Sequence, residues 1–493
     1  MNWRSTVRML DWAVPIGFGI VLWMRAPLRT ALEFGGDEGY ELMKGFLVSL
    51  GHPLYREVWN DQPPLHTELL ALLFRIFGPS AYVARLLSVG FAMALVAALY
   101  RMVTDHSGRV AGLIALALLV SSSSFVQLCV SVMIELPAMA LALAAVWMWL
   151  RYFASKRRQW LILSGVLFGC ALQVKLTAVI FLPALAAEYA VRRIRRARET
   201  NSLGGDAMYS ELRETVVWCG AVAIAFSVVA VAFYRWNAVT TIWMSHFSYS
   251  TRHVVGSAGF AFRPESLLND LALLVPAAFG VVLICYNRRC DLLFPAVLLA
   301  TALVIHLWHR PYWYYYNLHF AIPMAWLGAL GIVAWFREIC RQDISASLAA
   351  KLRAGIGWLG WSMLVSLVVT LAPEKAWNEL TKVSAALPAQ QDAIVIELRK
   401  HAAHTRWVFT DRVIYAFWAA LPVPPELAVV PSKRVWSGQL SDTQVATYLE
   451  RYRPEQVLLL SRWMENSNLS DYIQTHYQVD PAGRVGGLYY RNR

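Results

Sequence analysis

The chain has 493 residues, of which 58% are hydrophobic and only 16% charged, with a mean hydropathy of +0.44. One water-soluble core cannot hide that much apolar surface, so a purely globular protein is excluded and a bilayer must solvate the remainder. The net charge of +13 raises nucleic acid as a partner, but the basic residues cluster in loops after alternate apolar runs, which is the positive-inside pattern and argues against nucleic acid.

The first apolar run, Met9 to Met24, lacks a small-residue cleavage site and reads as a retained first span. Further spans are predicted at Ala81–Val103, Val110–Val126, Leu136–Phe153, a close pair within Trp160–Val191, Thr215–Tyr234, Leu267–Tyr286, Leu292–Trp308, Leu318–Phe336 and Ala354–Leu371, about eleven in all. Helices are the reading because the runs do not alternate polar and apolar as barrel strands do. Arg4 and Arg8, then Arg151 with Lys156 to Arg158, then Arg192 to Arg198, then Arg288 and Arg289, then Arg337 to Arg353 place the amino terminus and these loops in the cytoplasm. The pair within Trp160–Val191 is short for two crossings and carries Lys175 at its midpoint, but basic flanks on both sides require an even count there.

The long segment from Arg25 to Ser80 then faces the outside. It contains two amphipathic pieces, Tyr40 to Leu50 and Leu65 to Phe77, which read as helices lying in the membrane interface. From Pro373 the composition becomes that of a soluble domain. Short strands are expected at Trp407–Asp411, Gln456–Leu460 and Leu488–Tyr490, with a helix at Ser441–Arg453, so residues 373–493 form a small extracytoplasmic α/β domain after a membrane domain of residues 1–372. Six cysteines without CxxC or histidine pairing support neither a disulfide framework nor structural zinc.

Several residues carry candidate chemistry. Asp37 and Glu38 are adjacent carboxylates flanked by Gly36 and Gly39, suited to general-base work or to holding a cation; alternatively Asp37 caps the following helix and Glu38 complements its dipole. Asp61 either joins Asp37 around one pocket or, with Asn60, caps the helix opened by Pro63 and Pro64. Glu135 is an acid at the outer face, a functional candidate or a helix-start anion beside Pro137; Lys175 either meets a phosphate or snorkels to the interface. His309, Arg310, Tyr314 and Tyr315 sit in an outer turn whose aromatics fit an interfacial belt but also offer what an anionic headgroup and a sugar face require. The outer loop from Arg235 to Ser266 adds His246, Tyr249, Arg252, His253 and Arg263.

The ordered set Asp37-Glu38 with Tyr40, Gly51-His52-Pro53-Leu54-Tyr55, Asp61-Gln62-Pro63-Pro64-Leu65, Phe77-Gly78-Pro79-Ser80 leading to Arg85-Leu86-Leu87-Ser88, then Gly165 to Lys175 and a tyrosine-rich turn before Pro323 resembles the GT-C superfamily of membrane glycosyltransferases. The likeness is to the family 39 branch of protein O-mannosyltransferases, lipid A aminoarabinose transferases and rhizobial lipid A sugar transferases. It implies an all-α polytopic fold that moves a sugar from a polyprenyl-phosphate donor to a lipid, glycan or protein acceptor on the extracytoplasmic side of a bacterial plasma membrane. Asp37 matches the family's catalytic carboxylate, beside Glu38. Where aminoarabinose transferases carry Glu-Lys-Pro-Pro, this chain has Asp61-Gln62-Pro63-Pro64, so leaving-group charge must be met elsewhere, with Lys175 or Arg310 as candidates. Asp61, Glu135, Lys175, His309, Arg310, Tyr314 and Tyr315 are the expected substrate contacts. No cofactor is certain, although clustered carboxylates suit a divalent cation. The alternative is a transporter or flippase of a lipid-linked sugar, which would place charge at the midplane of duplicated halves.

Overall fold

The computed structural model describes residues 3–200, 205–234, 237–247, 260–287, 293–341, 348–460, 468–480 and 485–492. Among these, six helices are long and apolar enough to cross a membrane: Ala81–Ser107, Glu135–Ser155, Glu211–Phe233, Pro264–Leu283, Tyr314–Arg341 and Ala354–Ser384. Shorter apolar helices lie at Arg109–Val120, Arg158–Val174 and Leu293–Trp308. The chain is thus a mainly helical membrane protein with a small carboxyl-terminal sheet.

Helix α1 (Trp3–Arg25) packs along α4 (Ala81–Ser107), and Asp11 clasps it there by accepting from Arg101 and, at 2.8 Å, from Arg109 at the start of the next helix. Ser80 starts α4, its hydroxyl accepting from Val83 N at 3.4 Å, and Gly108 stops it. Helices α2 (Glu38–Ser49) and α3 (Leu65–Phe77) lie in the segment between α1 and α4, as expected from their spacing. Their settings differ. Helix α3 exposes Leu72, Ile76 and Phe77, an apolar face left for lipid. Helix α2 is a correction to the interfacial reading: nearly all its residues are buried, Lys44 and Glu41 included, because protein and not lipid covers its second face.

Helices α5 (Arg109–Val120), α6 (Phe125–Val130) and α7 (Glu135–Ser155) follow, then α8 (Arg158–Val174) and α9 (Phe181–Thr200). The expected pair between Trp160 and Val191 appears as α8 and α9, separated by a break at Lys175 and a short 3-10 turn, Leu176–Ile180. They pack on different partners, α8 on α7 and on α10 (Gly205–Phe233), and α9 on the helix Leu293–Trp308. The remaining helices of the bundle are α11 (Ala238–Phe247), α12 (Leu271–Asn287), α13 (Leu293–Trp308), α14 (Asn317–Arg341) and α15 (Leu348–Ser384). The core between them is continuous, with Phe125, Phe168, Phe181 and Phe320 each fully buried.

The composition shift at Pro373 falls inside α15, which continues without interruption to Ser384. Beyond it, four short strands pair in the order β1 (Val408–Thr410), β2 (Gln456–Leu458), β4 (Leu488–Arg491), β3 (Tyr477–Val479); β1 and β2 run parallel and the other pairs antiparallel. Strand β3 has no apolar run to announce it in the sequence. The predicted helix Ser441–Arg453 appears at Asp442–Tyr452 with a capping box, in which Ser441 accepts from Gln444 N and Gln444 accepts from Ser441 N.

This module is fastened to the bundle. Leu32 N donates to Leu387 O at 2.7 Å and Ala389 N to Thr30 O at 2.7 Å. The helix Val413–Trp418 packs on α2, where Gly39 makes the approach possible: a Cβ there would lie 2.9 Å from Ile414 Cβ and 3.0 Å from its backbone N. Phe417 lies against Phe46 and Phe74, with ring centroids 6.1 and 5.9 Å away. A shared apolar cluster thus joins the module to α2 and α3.

Candidate active site

Where the segment between α1 and α4 meets the module, a cavity of about 460 Å³ opens among the ends of several helices. Asp37, Asp61, Glu135, Lys175, His309, Arg310, Tyr314 and Tyr315 all line it. Glu38 does not. Its carboxylate is fully buried behind the cavity, where Arg85 donates to it at 2.9 and 3.1 Å and the backbone N–H groups of Phe34 and Val132 donate at 2.7 and 3.1 Å. Arg85, also fully buried, spends its remaining donors on the carbonyls of Leu28, Ala31 and Leu32. The expected catalytic part for Glu38 is therefore corrected to an anchoring one: every acceptor faces a donor of the fold, and none faces a substrate. The neighbouring loop is fixed tightly enough that a Cβ on Gly35 would lie 2.8 Å from the Tyr314 hydroxyl.

The capping readings are also corrected. Asp37 occupies the N-cap position of α2 but its side chain makes no cap hydrogen bond, and α3 is preceded by Pro64 with no side-chain cap. Asn60 instead accepts from Lys44 at 2.9 Å and donates to Gln62 O at 2.7 Å. Asp61 accepts from Lys433 Nζ at 3.0 Å.

Among the described residues four carboxylates line the cavity: Asp37, Glu41, Asp61 and Glu135. Three are each paired with a lysine. Glu41 meets Lys44 at 2.8 Å, Asp61 meets Lys433 at 3.0 Å, and Glu135 meets Lys175. Glu135 also accepts from Thr177 at 3.1 Å and from His319, whose other ring nitrogen lies 2.9 Å from His306 Nε2. Its place in the first turn of α7 is incidental to these partners. Lys175, caught at the break after α8, is buried rather than snorkelling, and its ammonium lies 4.5 and 4.8 Å from the ring centres of Tyr315 and Tyr316.

Asp37 is the exception. Among the described residues no side chain forms an ion pair or hydrogen bond with its carboxylate. The group meets cavity water, yet the surrounding protein encloses it; enclosure first, then repulsion from Glu41, pushes its pKa up to about 6. For Asp61 burial also raises the pKa, but Lys433, His246 and Lys44 outweigh it and hold the carboxyl below the usual carboxylate range. His246 is drawn down to about 4 by burial and then by Lys433, so its ring is neutral.

Three lining groups had no signal in the sequence. Lys433 and Arg412 come from the module, and Arg412 is held by Glu33. Trp59 reaches across to Gln439 at 2.9 Å, with the Arg434 guanidinium 5.4 Å from its ring centre. His246 lines the cavity as the sequence suggested, whereas Arg263 does not line it, and Tyr249, Arg252 and His253 lie outside the described residues. Among the described residues no group of three or more His, Cys, Asp or Glu side chains is arranged to hold a metal ion.

The family model described as dolichyl-phosphate-mannose-protein mannosyltransferase matches residues 61–204. A search of curated protein sequences finds no match to the chain. Solved structures do match. The apo crystal structure of ArnT from Cupriavidus metallidurans aligns over 94% of each chain with a TM-score of 0.59 at 12% identity, and the form bound to undecaprenyl phosphate aligns over the same shares with 0.57 at 14%. The arabinosyltransferase EmbB from Mycobacterium smegmatis aligns over 78% of this chain and 41% of its own, with a TM-score of 0.51 at 16% identity. The chain thus shares the fold of ArnT over nearly its whole length and, over most of it, that of EmbB.

Proposed function

We propose that the chain is a glycosyltransferase that takes a sugar from a polyprenyl-phosphate donor and passes it to a lipid, glycan or protein acceptor at the extracytoplasmic face, with Asp37 as the base. The observation that carries this reading is the state of the cavity carboxylates: among the described residues three are committed to lysines, and Asp37 is the one left to accept a proton. A carboxylate raised towards neutrality is better matched to abstracting a hydroxyl or amine proton than an ordinary one. The fold supports the donor class, since one relative is described with undecaprenyl phosphate bound.

In the proposed step the acceptor oxygen or nitrogen attacks the anomeric carbon and its proton passes to Asp37. The bond from that carbon to the phosphate oxygen breaks, and polyprenyl phosphate leaves with the electron pair. Inversion follows from attack opposite the leaving group. Arg310 at the rim and Lys175 at the wall are the proposed cations for the phosphate, and Tyr314 and Tyr315 offer faces for the sugar. His309, Asp61 and Glu135 complete the contact set, Asp61 and Glu135 by holding their lysines in place.

The facing of the cavity is supported by the helix polarity. Helices α4, α7 and α14 begin near it with Arg85, Glu135 and Asn317, and their far ends carry Arg101, Arg151 and Arg337. Arg337 donates to Ser107 O at 2.8 Å at that far end. This polarity, with basic residues on the cytoplasmic side, supports a cavity that faces outward.

Purified chain in lipid nanodiscs, given radiolabelled polyprenyl-phosphate sugars and an envelope extract as acceptor, should transfer label. Asp37→Asn should lower the rate by about 10²–10⁴-fold, the usual range for a lost general base. Equal turnover by the variant would remove Asp37 from the mechanism.

A further inference from the structure

The ammonium of Lys433 occupies a position that the transfer reaction does not by itself explain. It lies 3.0 Å from Asp61 Oδ2 and 3.0 Å from His246 Nδ1, between a carboxylate from the first outer segment and an imidazole from α11. His246 Nε2 is 2.9 Å from the carbonyl of Asp61 and 3.1 Å from Gln62 Nε2, and Lys433 Nζ lies 3.3 Å from Nε2 beside its 3.0 Å contact to Nδ1; the tautomer that donates from Nε2 to the carbonyl leaves Nδ1 to accept from Lys433. One carboxylate oxygen and one neutral imidazole nitrogen facing a common point are the donors that a divalent transition metal takes. Here that point holds the tip of a lysine.

We propose that Lys433 is the built-in cation of this site, its ammonium standing in place of a divalent metal between Asp61 and His246. The candidate divalent cation suggested by the carboxylate cluster does not fit the residues present. A metal ion bound to these two groups would have to displace or closely adjoin a like charge, and among the described residues no third His, Cys, Asp or Glu completes a metal-holding group. Lys433 also has little freedom to withdraw, because it follows Pro431 at the start of the short helix Ser432–Trp436 and its side chain is largely buried. Because Lys433 belongs to the carboxyl-terminal module, the module supplies the charge that holds Asp61. This extends the module's part from covering the cavity to completing its electrostatics, and it stands whether or not sugar transfer is the reaction.

The test reads metal content, without donor or acceptor. Full-length protein in nanodiscs is stripped with chelator, equilibrated with Zn²⁺ or Mn²⁺, desalted and analysed for bound metal. The wild-type chain should retain far less than one equivalent. Lys433→Glu, which replaces the ammonium with a third donor, should retain about one equivalent of Zn²⁺ and lose it again when combined with Asp61→Asn. A wild-type chain that holds a stoichiometric metal released by Asp61→Asn overturns the assignment. So does a folded Lys433→Glu chain that holds none, with folding judged by an unchanged elution volume and helical circular dichroism.

Discussion

Asp37 and Glu38 are neighbours in sequence with opposite fates. Glu38 turns inward to Arg85 and two backbone N–H groups, while Asp37 faces cavity water. A lone sequence shows that two acids stand together but not which way each points, since that depends on Arg85, 47 positions further on. Asp37 carries a prediction in pH. Its pKa is raised to about 6, and a base must be deprotonated to act, so kcat/KM should rise with pH through about 6 and level off above it. A pH–rate profile showing an ordinary carboxylate limb near 4 would contradict the enclosure argument. The same upward shift means that the folded chain favours protonated Asp37. Its contribution to stability is therefore greatest in acid and is lost as pH climbs through about 6.

At the scale of elements, the buried Arg85–Glu38 ion pair fastens the segment after α1 to the bundle. Arg85 of α4 ties together the turn after α1, the start of α2 and, through Glu38, the backbone at Val132 before α7. Removing one partner leaves the other charge buried and unmet, which typically costs about 3–5 kcal/mol. Arg85→Met should therefore lower the thermal midpoint sharply and abolish turnover, although Arg85 lines no part of the cavity. Differential scanning fluorimetry in detergent would show it, and an unchanged midpoint would mean the pair is dispensable. The helices themselves were legible because apolar length and punctuation are local properties: Gly78-Pro79-Ser80 before α4 and the basic flanks around α8 and α9 marked boundaries that the structure keeps. The burial of α2 was not legible. Its second cover, the helix Val413–Trp418, lies several hundred residues away, and amphipathic spacing looks the same whether lipid or protein meets the apolar face.

For the whole molecule, the cavity gathers residues from several loops of the bundle and from the distant module. The loops joining the helices supply Asp37, Asp61, Glu135 and Tyr314, and the module supplies Lys433 and Arg412. Sequence reasoning found the first set because acids and aromatics beside apolar spans are conspicuous, and it missed the second because a lysine in a soluble domain is ordinary until the fold places it.

Helix α15, 37 residues from Leu348 to Ser384, would measure about 55 Å if regular throughout and passes from the bundle into the module without a joint. It works as a keyed shaft. Dropping one residue from its upper part changes the angular phase of everything beyond by about 100° and shortens the reach by about 1.5 Å. Deleting the exposed Asn378 should thus misregister Lys433 and silence the protein while leaving the bundle assembled, whereas Asn378→Ala, which keeps the phase, should be silent in every assay. Cross-linking of cysteines at positions 59 and 439 with a short bifunctional reagent, where the native side chains meet at 2.9 Å, would register the slip directly, forming in the substituted chain and failing in the shortened one.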